Sequence, residues 1–446
     1  MRLTLVLFIG MLFFYDSVDG QKKEITTLQD LVDHAIRFNY QKVNAAYNRD
    51  LAEYKVKETL SKGLPQVDVV GTMDHYPELP TTVFPGEMMG TPGEDVALKM
   101  GKPYNANVAA GFNQLLYSQE YLTGLKAAKT SRILYELQEV KTEEEVIYQI
   151  ASLYYQYTIS LEKLQTISDN LVRMEELEQI TQLMVEQQVA LSSDLDRIRV
   201  DVTNLRAILL QQQTMIDYQH NQLKIVAGLS VNTQLSLESL VLQSPVQPDA
   251  QALVPGQLTD IRLLNTQLEL QQLSEKVVKA GRYPTLAAYG QFAYDAKRDE
   301  FNFFNSQYDW FNYSVIGLRL SIPITDGGFK RSKIKQEQIK QLQTENQIEI
   351  TQAQVYVENE NARQMINNSL SMLEVQSENT QLAKKVYDQT YLQYQEGIAS
   401  LTDLLSAENS LRDSELAYYQ SYLNYKVSEL NLWKSQGVLK QNFNVI

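Results

Sequence analysis

Apolar side chains recur every three or four positions along much of this chain. Over about 143–187 the series Ile150, Leu153, Tyr157, Leu161, Leu164, Ile167, Leu171, Met174, Leu177, Ile180 and Met184 runs with no Gly or Pro between. Steps of three and four place these residues on one face of a helix. At 1.5 Å per residue that helix is about 65 Å long, far beyond the three turns usual in a globular domain. A second stripe follows at Leu195, Ile198, Val202, Leu205, Leu209, Ile216 and Leu223, and its near-heptad spacing predicts coiled-coil-like packing against neighbouring helices. Two more long helices are predicted at about 330–396 and 401–435. The last of them carries Leu404, Leu411, Tyr418, Tyr422, Tyr425 and Leu432 on one side. Shorter helices are predicted at about 27–61 and 258–281, the first opening on Thr26-Thr27-Leu28-Gln29 as a capping box.

The period changes from 3.6 to 2 in four short segments, 65–73 with 106–117 and 284–294 with 310–324. In the last, Ile316, Leu318, Leu320 and Ile322 alternate with Gly317, Arg319 and Ser321, and Val108, Ala110 and Phe112 alternate with Asn107, Ala109 and Gly111. That alternation is expected of a transmembrane strand with one face in lipid. An ordinary soluble hairpin with a half-buried face shows the same pattern. Phe292, Tyr294, Phe301, Phe303, Phe304, Trp310, Phe311 and Tyr313 crowd the strand ends and their connection, as rings do at a membrane–water interface. The segment 74–105, rich in Gly and Pro, reads as a long outward-facing loop without periodicity.

The two halves repeat one plan: helix, Pro-led strand, loop, strand, long helix, tight turn, long helix. Lys62-Gly63-Leu64-Pro65 corresponds to Gly281-Arg282-Tyr283-Pro284, and Val189-Ala190-Leu191-Ser192-Ser193-Asp194-Leu195 to Ile398-Ala399-Ser400-Leu401-Thr402-Asp403-Leu404. The expected organisation is a signal peptide at 1–20, a first repeat at 21–228, a linker at 229–257 marked by Pro245, Pro248, Pro255 and Gly256, and a second repeat with a tail at 258–446. Each repeat supplies two strands. Four strands cannot close a barrel, and open sheet edges are not tolerated in lipid. If the strands are embedded, the chain assembles with copies of itself; three chains give twelve strands and a lumen.

Composition narrows the rest. Arg2 followed by the apolar run 3–15 and the small residue Gly20 before Gln21 reads as a cleaved secretory signal. The run is too short to span a hydrocarbon core as a helix. The net charge is −14, with 40 basic against 54 acidic residues, and no basic run suits phosphate binding. Cysteine is absent and only His34, His75 and His220 are present, which supplies neither a zinc site nor a nucleophilic triad. No enzyme, cofactor or metal is expected.

Tyr394-x-x-Gly397-x-x-Ser400-Leu401-x-Asp403-Leu404-Leu405-x-Ala407, then Leu411, Ala417, Tyr418, Tyr422, Tyr425, Leu430 and Gly437, is similar to the second hairpin tip and outgoing helix of the TolC family of outer-membrane efflux proteins. Ser321-Ile322-Pro323-Ile324-Thr325-Asp326-Gly327-Gly328 resembles that family's strand-to-helix junction, and Arg282-Tyr283-Pro284-Thr285-Leu286 its helix-to-strand junction. The resemblance spans essentially the whole mature chain. It implies a mainly α fold with a small β part: a homotrimer with a twelve-stranded outer-membrane barrel, four strands per chain, continued by a long periplasmic α-helical barrel. It also implies a periplasmic adaptor and an inner-membrane transporter as partners, a passive conduit for small molecules, drugs, metals or proteins, and no covalent chemistry.

On this reading Val189, Ala190, Leu191 and Ser192, with Gly397, Ile398, Ala399, Ser400 and Leu401, form the adaptor-contacting tips. Asp403 and Asp194 are candidates for an acidic gate ring. The simpler reading gives these residues only capping roles: Gly397 ends one helix, Ser400 or Thr402 with Asp403 starts the next, and Ser192, Ser193 and Asp194 do so in the first half. The best-known member also has an arginine two residues beyond the glycine and a second aspartate three beyond the first; here those are Ala399 and Ser406. The competing reading of the whole chain is a secreted coiled-coil structural or adhesion protein without a pore.

Overall fold

The computed structural model describes residues 26–90, 92–237 and 253–445. The signal segment 1–20 and most of the linker, including Pro245 and Pro248, lie outside the described residues. The first helix, α1 (Leu28–Phe38), buries Leu31, Val32 and Ala35. Its capping box sits one residue later than the sequence suggested: Asp30 N–H donates to the Thr27 hydroxyl at 3.2 Å, and the Asp30 carboxylate accepts from Thr27 N–H at 3.3 Å. A carboxylate at the third helical position outcompetes the Gln29 amide for that backbone donor.

The expected single helix over 27–61 is broken at Asn39, whose extended backbone (φ −62°, ψ 127°) ends α1 and starts α2 (Tyr40–Ser61). Asn39 Oδ1 accepts from the N–H groups of Gln41 and Lys42, while its Nδ2 donates to Val226 O at 2.7 Å.

Strand β1 (Gln66–His75) follows, then β2 (Thr81–Phe84), the single turn α3 (Gly86–Met89), β3 (Val96–Lys99) and β4 (Tyr104–Ser118). The segment expected as a plain loop therefore holds a small β2–β3 hairpin; strands of four residues are too short to set up a visible period among so many Gly and Pro. Next come α4 (Gln119–Glu186), 68 residues and about 100 Å long, and α5 (Ser192–Val226). After a 3₁₀ turn at Pro255–Gln257 lie α6 (Thr259–Ala280), β5 (Thr285–Arg298), β6 (Phe311–Ser321), α7 (Phe329–Gln395), α8 (Leu401–Gln436) and the short α9 (Leu439–Asn442). The helix expected from residue 143 in fact starts at Gln119, because Ser118 caps it directly from the end of β4.

The lower part of α4 packs on α5 and its upper part on α2, so α5 and α2 line up end to end beside one long partner. Their junction is tight. Gly228 takes φ +75°, and a Cβ there would stand 2.4 Å from Phe38 O. His34 Nδ1 also bonds Ala227 O at 2.8 Å. In the same way α8 and α6 share α7, with Gly437 (φ +72°) set against Leu258. One core cluster fastens the first junction, joining Leu31, Val146, Ile147, Ile150, Leu223, Leu430 and Phe443. Another, near the far ends of the long helices, joins Met174, Leu177, Ile198, Val202 and Leu205 to Leu401, Leu404 and Leu405.

Polar ties add to this packing. The Glu275 carboxylate on α6 accepts from Lys279 Nζ (2.7 Å) and from Gln338 and Gln341 on α7 (2.9 and 3.1 Å). The Lys279 bond chiefly, with the two amides, holds its pKa down at about 2. A depressed carboxylate stabilises the fold above its ordinary range, and the contribution is lost as pH falls towards about 2. Glu275→Ala should therefore destabilise by about 2 kcal/mol at neutral pH. In thermal melts the gap between wild type and variant should close progressively on acidification below pH 4.5.

Candidate functional site: the strand sheet and the helix tips

The four long strands form one antiparallel sheet in the order β1-β4-β5-β6, leaving β1 and β6 as unpaired edges. The register sorts the side chains. Ile316 lies opposite Gly290, Leu318 opposite Ala288 and Leu320 opposite Leu286. Gly290 faces Phe112, and Phe112 faces Val67. Residues directly opposite share a face, so Val67, Val69, Phe112, Leu286, Phe292, Ile316, Leu318 and Leu320 make one apolar surface. The other face carries Asp68, Thr72, Asn107, Asn113, Tyr289, Gln291, Asp295 and Arg319. The apolar face is bare: Ile316 is 90% exposed and Leu318 67%.

At the end away from the helices, the β5–β6 connection folds onto the apolar face. Phe303 packs on Ala106, Ala296 and Trp310. Arg298 clamps the connection, donating to Asp309 O at 2.7 Å with its guanidinium 5.3 Å above the Tyr308 ring. The expected aromatic crowding is thus an ordered cluster on the rim.

At the opposite end each helix pair turns in five residues. Gly397, at φ +74°, lets Ile398 N–H and Ala399 N–H both reach Gln393 O. In the first turn Gln188 takes the same left-handed conformation (φ 60°), and Val189 and Ala190 N–H reach Met184 O. A glutamine in that role gives no sequence signal.

Ser400 caps α8 in a full capping box. Its hydroxyl receives Asp403 N–H, while its own N–H (3.1 Å) and hydroxyl (2.6 Å) donate to the Asp403 carboxylate. Those two bonds, the hydroxyl's first, hold the Asp403 carboxyl below its ordinary pKa. Thr402 does not cap; its hydroxyl accepts from Arg197 Nη1 at 3.2 Å and so ties the two tips together. Ser192, Ser193 and Asp194 do not cap α5 either. The N-cap is Leu191, with no side-chain bond, and the three follow it inside the first turn.

Of the residues expected to contact an adaptor, Val189, Leu191 and Ile398 are 69%, 68% and 77% exposed. Ser192, Gly397 and Ser400 are exposed as well, and Ala190 and Ala399 half-buried. Leu401 is not available to a partner. It is buried with Leu404 and Leu405 in the core cluster, because its place at the first position of α8 turns it towards α4 and α5. Sequence reading also missed the polar tie above the tips, where Arg173 on α4 meets the buried Glu408 on α8 at 3.2 Å and Asn170 at 2.8 Å. Burial pushes the Glu408 carboxyl up, against the opposing pull of Arg173.

Among the described residues, no helix is long and apolar enough to cross a membrane, and no His, Asp and Glu cluster is arranged to hold a metal ion. A bare apolar sheet face thus lies beside a polar one, on helices about 100 Å long. The family model "Outer membrane efflux protein" matches residues 259–438. Outer membrane protein TolC of Escherichia coli is 24% identical over 277 residues, covering 60% of this chain and 56% of that one. TolC of Vibrio cholerae is 20% identical over 422 residues, 93% and 91% of the two chains.

Over residues 259–438 this chain is similar to the outer-membrane efflux proteins.

The Campylobacter jejuni CmeC outer membrane channel superposes with a TM-score of 0.76 at 15% identity, covering 94% of this chain and 88% of that one. At that identity the likeness establishes the TolC-like fold. The alignment with E. coli TolC spans about half of that protein, whereas the fold match is nearly end to end.

Proposed function

We propose that this TolC-like chain is one third of an outer-membrane channel, the passive exit duct of a tripartite export system. The observation that carries the proposal is the four-stranded sheet with an exposed apolar face, a polar face and two unpaired edges. Lipid satisfies the apolar face. Nothing within one chain satisfies the edges, and closure by three copies supplies each β6 with a β1 while enclosing the polar faces around a lumen. The long helices would then continue the duct through the periplasm. Exposed Val189, Leu191 and Ile398 offer apolar contacts at its inner end for a periplasmic adaptor, which links it to an inner-membrane transporter. Extraction from the outer-membrane fraction only in detergent, as a heat-sensitive trimer that conducts ions in planar bilayers, is the expected behaviour. A monomer soluble in plain buffer would instead mark a secreted coiled-coil protein.

Asp403 and Asp194 are proposed as the acidic constriction, three copies of each converging at the tips. Asp403 also holds the α8 cap, so two substitutions separate the roles. Asp403→Ala, alone or with Asp194→Ala, should raise single-channel conductance severalfold and weaken block by divalent cations. Ser400→Ala removes the cap, at about 1 kcal/mol, and keeps the charge; it should leave cation block intact. Equal effects of the two substitutions would assign Asp403 to capping alone.

A further inference from the structure

We propose that Arg319 forms an anion-attracting ring inside the barrel, so that the membrane end of the duct favours negatively charged cargo; this rests on the trimeric channel proposed above. Arg319 lies opposite Ala287 and two residues beyond Gly317, which lies opposite Tyr289. That register places the guanidinium on the polar face, at the end of β6 nearest the helices. It is held there: its central carbon sits 5.1 Å from the centroid of the Tyr289 ring. The ring fits because residue 317 is glycine, since a Cβ at that position would come within 2.8 Å of the Tyr289 hydroxyl and ring. One position supplies a platform and another the space for it, and a guanidinium over an aromatic face stays charged while losing little freedom.

Within one chain the surroundings leave that charge uncompensated. Across the sheet at this level stand Ala287 and then Leu115, with Tyr289 and Ser321 to either side. Among the described residues, no carboxylate lies in ion-pair contact with Arg319. The other ionic side chains on this face sit farther out. Asp68 is level with Gly111, Gln291 and Val315, four residues or about 13 Å along the strand. Asp295 is level with Phe311 and lies 3.7 Å from Lys297. Three such guanidinium groups in a twelve-stranded barrel, of radius roughly 12 Å from strand spacing and tilt, lie within about one Debye length of the axis at 0.1 M salt. Their field spans the bore, and the forked donors suit carboxylate, sulfonate or phosphate groups on a passing solute.

The chain has no cysteine, so a single thiol can report the local potential without the tips limiting the signal. Ala287→Cys in the purified trimer would be reacted with an anionic sulfonatoethyl and a cationic trimethylammonioethyl methanethiosulfonate. The ratio of anionic to cationic rates should fall about fivefold at low salt when Arg319→Gln is added, and the difference should vanish near 1 M salt. Arg319→Lys, which keeps the charge, should keep most of the ratio. Equal ratios in the Arg319 and Arg319→Gln trimers would overturn the ring while leaving the channel standing. A thiol at 287 that neither reagent reaches, beside a reactive Leu286→Cys, would show that the polar face is not a lumen and would overturn both.

Discussion

Ile316→Arg should abolish heat-sensitive trimers in the outer-membrane fraction, while Val315→Arg, one residue away on the same strand, should leave them assembled. Ile316 is at the middle of β6 and is 90% exposed on the apolar face. Val315 lies opposite Gln291 on the polar face. An arginine facing lipid near the midplane costs about 2–4 kcal/mol, and three copies per trimer make that about 6–12 kcal/mol. On the polar face the same side chain stays in water. Because side chains alternate strictly along a strand, the pair of variants isolates facing from strand propensity and from position. Gel mobility of heated and unheated membrane fractions decides it; indistinguishable behaviour would mean that the face assigned to lipid never meets it.

Gly228→Ala should produce the second large effect, through backbone rather than lipid. The residue has φ +75°, and the added Cβ would lie 2.4 Å from Phe38 O and 2.9 Å from Asn39 N. Those neighbours are main-chain atoms at the butt joint between α5 and α2, so relief requires the two helices to separate. Left-handed strain and overpacking together give about 2–5 kcal/mol. Gly397→Ala is the control: its φ is +74° and nothing lies within 4 Å of the added carbon, which leaves strain alone at about 1–2 kcal/mol. Urea or thermal unfolding of both variants should show Gly228→Ala as clearly the worse. Equal losses would mean that the joint yields more readily than its contacts suggest.

Long periodic elements were the readable part of this chain. Eleven apolar positions from Ile150 to Met184 recur at steps of three and four, the period of one helix face. The strand alternation was equally legible at Ile316, Leu318 and Leu320, since a one-residue slip would invert every side chain. What sequence could not supply was anything decided by a neighbour distant in the chain. The break at Asn39 exists because Val226 O, 187 residues away, accepts its amide. The burial of Leu401 depends on Ile198 and Leu205 from the other hairpin. Gln188 takes a glycine's conformation because the turn after α4 demands it.

The tip carboxylates were visible as residues and ambiguous as roles. Capping and gating ask for the same side chain just after the same turn, and only the bonds from Ser400 show which of them Asp403 already performs within one chain.

The unpaired margins of β1 and β6 bear on how such a subunit reaches its destination. A newly exported copy crosses an aqueous compartment with greasy staves uncovered and two rows of backbone donors and acceptors seeking any strand at hand. In the trimeric channel proposed above, those edges stay open until two siblings arrive. If three must meet, as in the trimer proposed above, the yield of finished ducts should fall far more steeply than synthesis when expression is lowered.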